Sequence, residues 1–539
     1  MRSKVLASVI AVAALGLAVM PTAAAEPAGS VIRPVRPCAE LVRDFAIPGA
    51  PTHVTAAAEV PAGAEPAHCE VRGFVEPAVQ FQLRLPIDSY SGRYLQYGCG
   101  GFCGIIFPTP FPDCGPRAGD FAVAATDDGH PGDGIDGRWA ADNQAARDDF
   151  FFRAPHVVSM AAKRIIAAFY GSPPRQAYFN GCSTGGREAL LLAQRYPTDF
   201  DGIIAAAPAS YHGPLAAYQA WLARSNTAAD GTPIITAAKL PALHDAVLAA
   251  CDRVDGLADG QIDDPRACRF DPGAIRCAGP DQPSCLTPAQ VDAARKLYAG
   301  PTDGHGNRIY PGWEPYGSEL GWAGWIVALP ELGAPISALL ADNYLRYIGY
   351  PIGTPHSSLA EFRFTVRELL RLTPEGVKAN AMSLDLTAFR RAGGKLILWH
   401  GFADFAIPPN STLDYYDRLV RHNGGLRATQ EWARLFMIPG LYHCEGGDRL
   451  TEFDAVREIV AWVERGAAPD RIIATGRDAQ GTVTRTRPVF PHPLRARYDG
   501  TGSIDDAANF VPARPASPPR DTIRWPGEFL HFIPGPVAR

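Results

Sequence analysis

The chain has 539 residues, 47% apolar and 20% charged, which is enough for a substantial core and too apolar for wholesale disorder. Its net charge is −5 at pH 7 with no long basic run, which argues against nucleic acid as a partner because phosphate binding needs concentrated positive charge.

In chain order, Arg2 and Lys4 precede the apolar run VLASVIAVAALGLAVM, followed by Pro21 and Ala23-Ala24-Ala25. A charged start, a short apolar stretch and a small-residue site predict a secretory signal peptide over residues 1–25, cleaved near Ala25. The run is short for a membrane span of about 20 apolar residues. Export makes disulfides the default reading of the eleven cysteines, and the odd number leaves at least one thiol outside an internal pair.

FQLRLPI (81–87) and RYLQYGCGG (93–101) predict strands, the second ending in a glycine-rich turn, and DFAVAATDDGH (120–130) predicts a third. Ala161 to Tyr170 has helical spacing. QAYFNGCSTGG then reads as strand and turn, REALLLAQRYP as the following helix, and DGIIAAAPAS (201–210) as a buried parallel strand. Between residues 211 and 385 the strand rhythm stops, and four cysteines, an aspartate-rich segment and many Trp and Tyr residues appear. Strand patterns resume at GGKLILWHGFAD (393–404) and ARLFMIPGLYHC (433–444). This alternation predicts an α/β fold with a parallel sheet. Residues 26–210 form its first part, 211–385 an inserted lid, and 386–539 its second part with a tail. Beyond about residue 475 the chain is rich in Pro and Arg and is expected to be irregular.

Gly181-Cys182-Ser183-Thr184-Gly185 fits Gly-x-Ser-x-Gly, which sets a serine on a sharp strand-to-helix turn. A serine nucleophile needs a base and an acid to orient the base, here in the order Ser, Asp, His. Asp404 follows the strand KLILWH and His443 follows RLFMIPG, both at carboxyl ends of strands, where open parallel sheets place their sites. His130 and His400 compete as bases but read better as structural histidines. If Ser183 and His443 lie within hydrogen-bonding reach, their neighbours Cys182 and Cys444 come close enough to pair, stapling the nucleophile turn to the histidine loop.

CSTGG, HGxxD and HC together resemble the tannase and feruloyl esterase family of α/β-hydrolases, which includes feruloyl esterases, tannases and mono(hydroxyethyl) terephthalate hydrolases. The resemblance runs from Cys38 to the tail. It implies an α/β-hydrolase fold with a lid and a secreted serine carboxylic ester hydrolase, with Ser183, Asp404 and His443 catalytic and Cys182 bonded to Cys444. The oxyanion donors are expected at the amides of Thr184 and Gly101, the latter in YGCGGFCG (97–104).

In CDRVDGLADGQIDD (251–264) a solvated turn and a calcium site are equally good readings of the residues alone. The resemblance implies structural Ca2+ held by the side chains of Asp252, Asp255 and Asp259 and the carbonyls of Leu257 and Gln261. The further expected pairs are Cys251 with Cys268, Cys277 with Cys285, Cys38 with Cys69, and Cys103 with Cys114, leaving Cys99 free. Trp325, in GWAGW, matches the substrate-stacking position of a terephthalate-hydrolysing relative, but no arginine follows between Ile326 and Leu345 to hold a second carboxylate. The expected substrate is therefore a small hydroxycinnamoyl or galloyl ester, with a terephthalate half-ester as the alternative and no nucleic-acid, membrane or protein partner implied. A reading of another class is a secreted, calcium-stabilised binding protein without catalysis.

Overall fold

A ten-stranded sheet carries the molecule, in the order β1-β2-β3-β4-β6-β5-β7-β8-β9-β10. The computed structural model describes residues 31–107, 110–112, 119–331, 333–515 and 521–538, and the signal-peptide segment lies outside them. β1 (Asp44–Phe45), β2 (Thr52–Val60), β3 (His68–Val75) and β4 (Val79–Pro86) form an antiparallel meander at one edge. β4 joins antiparallel to β6 (Phe121–Thr126). β6, β5 (Arg93–Tyr97), β7 (Gln176–Cys182), β8 (Gly202–Ala206), β9 (Lys395–Gly401) and β10 (Ala433–Ile438) then run parallel.

The burial pattern follows the pairing. β6 and β8, covered on both faces, are buried at every residue, as parallel strands between helical layers must be. In the meander, Val79, Phe81, Leu83 and Leu85 of β4 are buried, and between them Gln80 is exposed and Gln82 half-buried. The helices Ala154–Tyr170, Thr184–Arg195 and Val456–Arg465 each bury an apolar face against the sheet or its neighbours. This is an α/β-hydrolase fold.

Residues 207–394 run from β8 to β9 and add no strand to the ten-stranded sheet. Their helices include His212–Ser225, Leu240–Cys251, Pro288–Ala299 and Ile336–Asn343. Cys251–Cys268 and Cys277–Cys285 tie this insertion internally, and Cys38–Cys69 ties the start of the chain to β3. Among the described residues no helix is long and apolar enough to cross a membrane.

Two expectations need correction. The tail is not irregular: β11 (Ile472–Arg477) pairs with β12 (Val483–Val489), and β13 (Arg495–Tyr498) with β14 (Phe510–Ala513), both antiparallel. Its arginines hid the strand pattern because two of them point inward. Arg485 and Arg487 of β12 are buried and pair with Asp259 of the aspartate-rich segment. The second correction concerns Cys103, whose partner is Cys99. The turn Gly100-Gly101-Phe102, closed by Cys103 N–H donating to the Gly100 carbonyl, folds the loop back on itself and leaves the two Cα atoms 5.4 Å apart. Cys114 lies outside the described residues.

Candidate active site

Ser183 stands at the turn between β7 and the helix Thr184–Arg195 with φ 63° and ψ −120°. A non-glycine residue rarely adopts this backbone, and the turn makes it affordable by crowding its neighbours: a Cβ on Gly181 would lie 2.3 Å from the Gly185 carbonyl oxygen. Ser183 N–H donates to Ala206 O, and its carbonyl accepts from the amides of Arg187 and Ala209, so the strained residue is held from several sides.

The carboxyl ends of β9 and β10 supply the other two candidates. His443 Nδ1 is 2.8 Å from Asp404 Oδ2, which leaves Nε2 as the free nitrogen of the ring. Asp404 is fully buried and accepts from the amides of Ala406 (2.8 Å) and Ile407 (2.9 Å) at Oδ1. Burial alone would raise its pKa, but His443 and His400 outweigh it and hold the carboxyl below the ordinary range.

His400, one of the competing histidines, is fully buried with Nε2 3.0 Å from Asp404 Oδ2 and 2.8 Å from the Ile407 carbonyl. A carbonyl accepts only, so Nε2 carries a proton, and Nδ1 lies 2.8 Å from Thr412 Oγ1. His400 therefore positions the carboxylate. His130, the other competitor, is buried, stacks on Trp139 at 3.7 Å and is pushed down to about 4 by burial, so it is neutral.

Cys182 and Cys444 are bonded, with Cα atoms 5.9 Å apart. Ser183 and His443 line one cavity of about 400 Å³, together with Gly101, Thr184 and Trp325. Gly101 has φ +58°, and a Cβ there would meet the Gly134 carbonyl oxygen at 2.2 Å, so only glycine fits. Among the described residues the Gly101 and Thr184 amides donate to no protein acceptor. Thr184 Oγ1 donates to the Gly101 carbonyl at 2.6 Å and fixes the spacing of the two amides. That tie was not visible in the sequence.

Trp325 is held by Nε1–H donating to Gln219 Oε1 (3.0 Å), and its ring lies 6.0 Å from that of His443. The remaining wall is mostly apolar: Phe102, Phe107, Ile135, Leu215, Ile336, Leu340 and Ile407. No lysine or arginine is among the described lining residues. Arg346 is half-exposed and pairs with Asp342 instead. Polar side chains also stand in the wall: Asp133, Gln219, His212 and Tyr344, with His212 Nδ1 and Tyr344 Oη buried and, among the described residues, without protein partners. Sequence reasoning missed these last two, since neither lies in a motif.

In the aspartate-rich segment, Asp252 Oδ1 accepts from the amides of Asp259, Gly260 and Gln261, and Asp255 Oδ1 from Leu257 N–H. Burial, then the neighbouring Asp263 and Asp259 carboxylates, push Asp255 up to about 8. Asp259 Oδ1 is buried without a partner. An oxygen-only cluster with surplus negative charge and an orphaned carboxylate oxygen fits a hard cation such as calcium.

Residues 65–513 match the family model described as tannase and feruloyl esterase. The chain is 35% identical to the mono(2-hydroxyethyl) terephthalate hydrolase of Piscinibacter sakaiensis, over 85% of this chain and 87% of that one. It is 30% identical to a probable feruloyl esterase of Arthroderma benhamiae, over 81% and 82%. The crystal structure of feruloyl esterase B from Aspergillus oryzae superposes with a TM-score of 0.76 at 26% identity, covering 86% of this chain and 97% of that one. The chain belongs to the tannase and feruloyl esterase family and is a carboxylic ester hydrolase.

Proposed function

We propose that the chain hydrolyses esters of hydroxylated aromatic acids, of feruloyl or galloyl type, by acyl transfer through Ser183, His443 and Asp404. The observation that carries this reading is the cavity: it joins Ser183 and His443 to an apolar wall with Trp325 and, among the described residues, no cationic side chain. A flat aromatic acid suits such a wall. A free carboxylate on the acyl group would go unpaired there, at a cost of several kcal/mol when desolvated. A neutral phenolic acyl group brings no such charge to bury.

In this mechanism His443 Nε2 takes the proton of Ser183 Oγ as it attacks the ester carbonyl. Asp404, itself held by His400 and two amides, keeps the Nδ1–H tautomer and stabilises the imidazolium. The Gly101 and Thr184 amides hold the oxyanion. His443 then protonates the leaving alkoxide, and water, deprotonated by the same nitrogen, releases the acid. The Cys182–Cys444 bond holds the base at the nucleophile through these steps.

The aspartate-rich segment would hold Ca2+ through Asp252, Asp255, Asp259 and the carbonyls of Leu257 and Gln261, a structural role in the lid. The disulfides agree with a protein exported behind a leader cleaved near Ala25. Hydrolysis of methyl ferulate, methyl gallate and mono(2-hydroxyethyl) terephthalate by wild type and Ser183→Ala tests the reading. The phenolic esters are expected to be cleaved with the higher kcat/KM and the variant to be inactive on all three. Preference for the terephthalate ester would reassign the acyl pocket.

A further inference from the structure

The loop that carries Gly101 begins and ends in cysteines whose surroundings are unlike those of the other pairs. Cys99 and Cys103 lie against two fully buried carboxylates. Asp128 Oδ2 is 3.4 Å from Cys103 Sγ and 3.7 Å from Cys99 Sγ. Glu188 Oε1 is 2.9 Å from Cys99 Sγ and 3.8 Å from Cys103 Sγ. A disulfide sulfur has no proton to donate, so an oxidised pair gives neither oxygen a hydrogen bond, and the two carboxylates share one with each other. Asp128 Oδ1 is also buried without a partner. The nearby cation, Arg187, donates from Nη1 and Nη2 to the carbonyls of Phe151 and Phe150.

Taking one donor atom from each of the four residues, all lie within 4.8 Å of one another. Donors around a tetrahedral zinc, at about 2.3 Å for sulfur and 2.0–2.2 Å for oxygen, stand roughly 3.4–3.8 Å apart. Three of the four sulfur-to-oxygen separations fall close to that spacing, while the two sulfurs, bonded in this structure, would have to part to hold the ion.

We propose that Cys99, Cys103, Asp128 and Glu188 form a binding site for one tetrahedral divalent cation of the zinc class, with both cysteines as thiolates. Loading exchanges protons, not electrons: Zn2+ forms two Zn–S and two Zn–O bonds, and the two thiol protons and the proton between the carboxyl groups pass to water. The Cys99–Cys103 disulfide is the metal-free, oxidised alternative of the same pair. Metal capture therefore precedes oxidation, while the newly made chain still carries thiols.

The site would join three parts of the catalytic framework: the loop bearing Gly101, the segment after β6 and the nucleophile helix. That framework is already contiguous, since Gly185 N–H donates to the Cys99 carbonyl at 2.8 Å and Cys99 N–H to Glu188 Oε2 at 3.3 Å. The ion would be structural and would touch neither Ser183 nor substrate. It differs from the calcium cluster in its donors, since sulfur ligands select zinc and oxygen-only ligands select calcium.

The test uses the full chain, exported from a host supplied with zinc. Zinc and calcium per chain are measured by elemental analysis, and free thiols are counted in the denatured protein. One zinc per chain is expected, with three free thiols, since four other disulfides account for eight of the eleven cysteines. Asp128→Asn and Glu188→Gln, which keep shape, are expected to lose zinc at least tenfold and leave calcium unchanged. With cobalt supplied instead, the wild type should show the visible bands of a tetrahedral thiolate site, and Asp128→Asn should lack them. A zinc-free wild type with one free thiol and a mapped Cys99–Cys103 peptide would overturn the proposal. So would zinc that persists in both carboxamide variants.

Discussion

Removing the Cys182–Cys444 bond by the double substitution Cys182→Ala/Cys444→Ala separates two roles that the structure assigns to one staple. The bond spans 262 positions. In the chain-entropy model such a loop restricts the unfolded state by about 5–6 kcal/mol. Unfolding entropy of about 2.1 cal/mol/K per residue gives roughly 1 kcal/mol per degree for a chain of 539 residues, so Tm should fall by about 5 °C. The second role is positional. Cys444, at φ +65°, follows His443 directly, and its tether fixes the loop that carries the proposed base. A loss of positioning on the 1 Å scale lowers rates by up to about 100-fold. Scanning calorimetry and kcat/KM on a small activated ester, read well below both midpoints, measure the two effects. The expected result is a Tm lower by about 5 °C and kcat/KM lower by about ten- to 100-fold. A variant with unchanged Tm and kcat/KM within twofold of wild type would refute the reasoning on both counts. A lower Tm with full activity would leave the bond as a stabiliser only.

Asp404→Asn keeps the shape but favours the wrong imidazole tautomer, and kcat should fall by about 10⁴ with little change in KM, measured by steady-state kinetics. His244 links the insertion to the loop after His443, with Nδ1 2.9 Å from Glu319 and Nε2 3.2 Å from Asp448. Burial opposes its charge, but the two carboxylates win and raise it to about 10. This stability is full below the unfolded-state value of about 6.5 and is lost as pH rises towards 10, so Tm should fall by several degrees over that window, and His244→Gln should flatten the profile. Chelating calcium should lower Tm by several degrees while leaving kcat intact at temperatures where the protein stays folded, checked by adding calcium back.

Much of the fold was legible because its signals are local. β6 and β8 are short apolar runs ended by turn residues, and each lies where the residue pattern puts it. The three candidate positions were legible for the same reason: Ser183 follows β7 directly, and Asp404 and His443 lie a few residues past the ends of β9 and β10. The paired cysteines beside Ser183 and His443 added a long-range clue within a short motif. What escaped notice depends on contacts distant in sequence. β12 contains inward-facing arginines that pair with Asp259 and Asp263, more than 200 positions earlier, and with Asp505. His400 reads as a spare histidine until the Ile407 carbonyl places a proton on its Nε2, beside Asp404. The grouping of Asp128 and Glu188 with two cysteines spans a strand end, a loop and a helix, and no spacing along the chain announces it.

The central claim, that Ser183 is the nucleophile of an esterase, is tested most directly by labelling the exported protein with a fluorophosphonate and mapping the modified peptide. One label per chain on Ser183 is predicted, together with loss of methyl ferulate hydrolysis in proportion to labelling and no label in His443→Ala. An unlabelled Ser183 in protein that still cleaves the ester, or a label on another serine that tracks the loss of activity, would contradict the account.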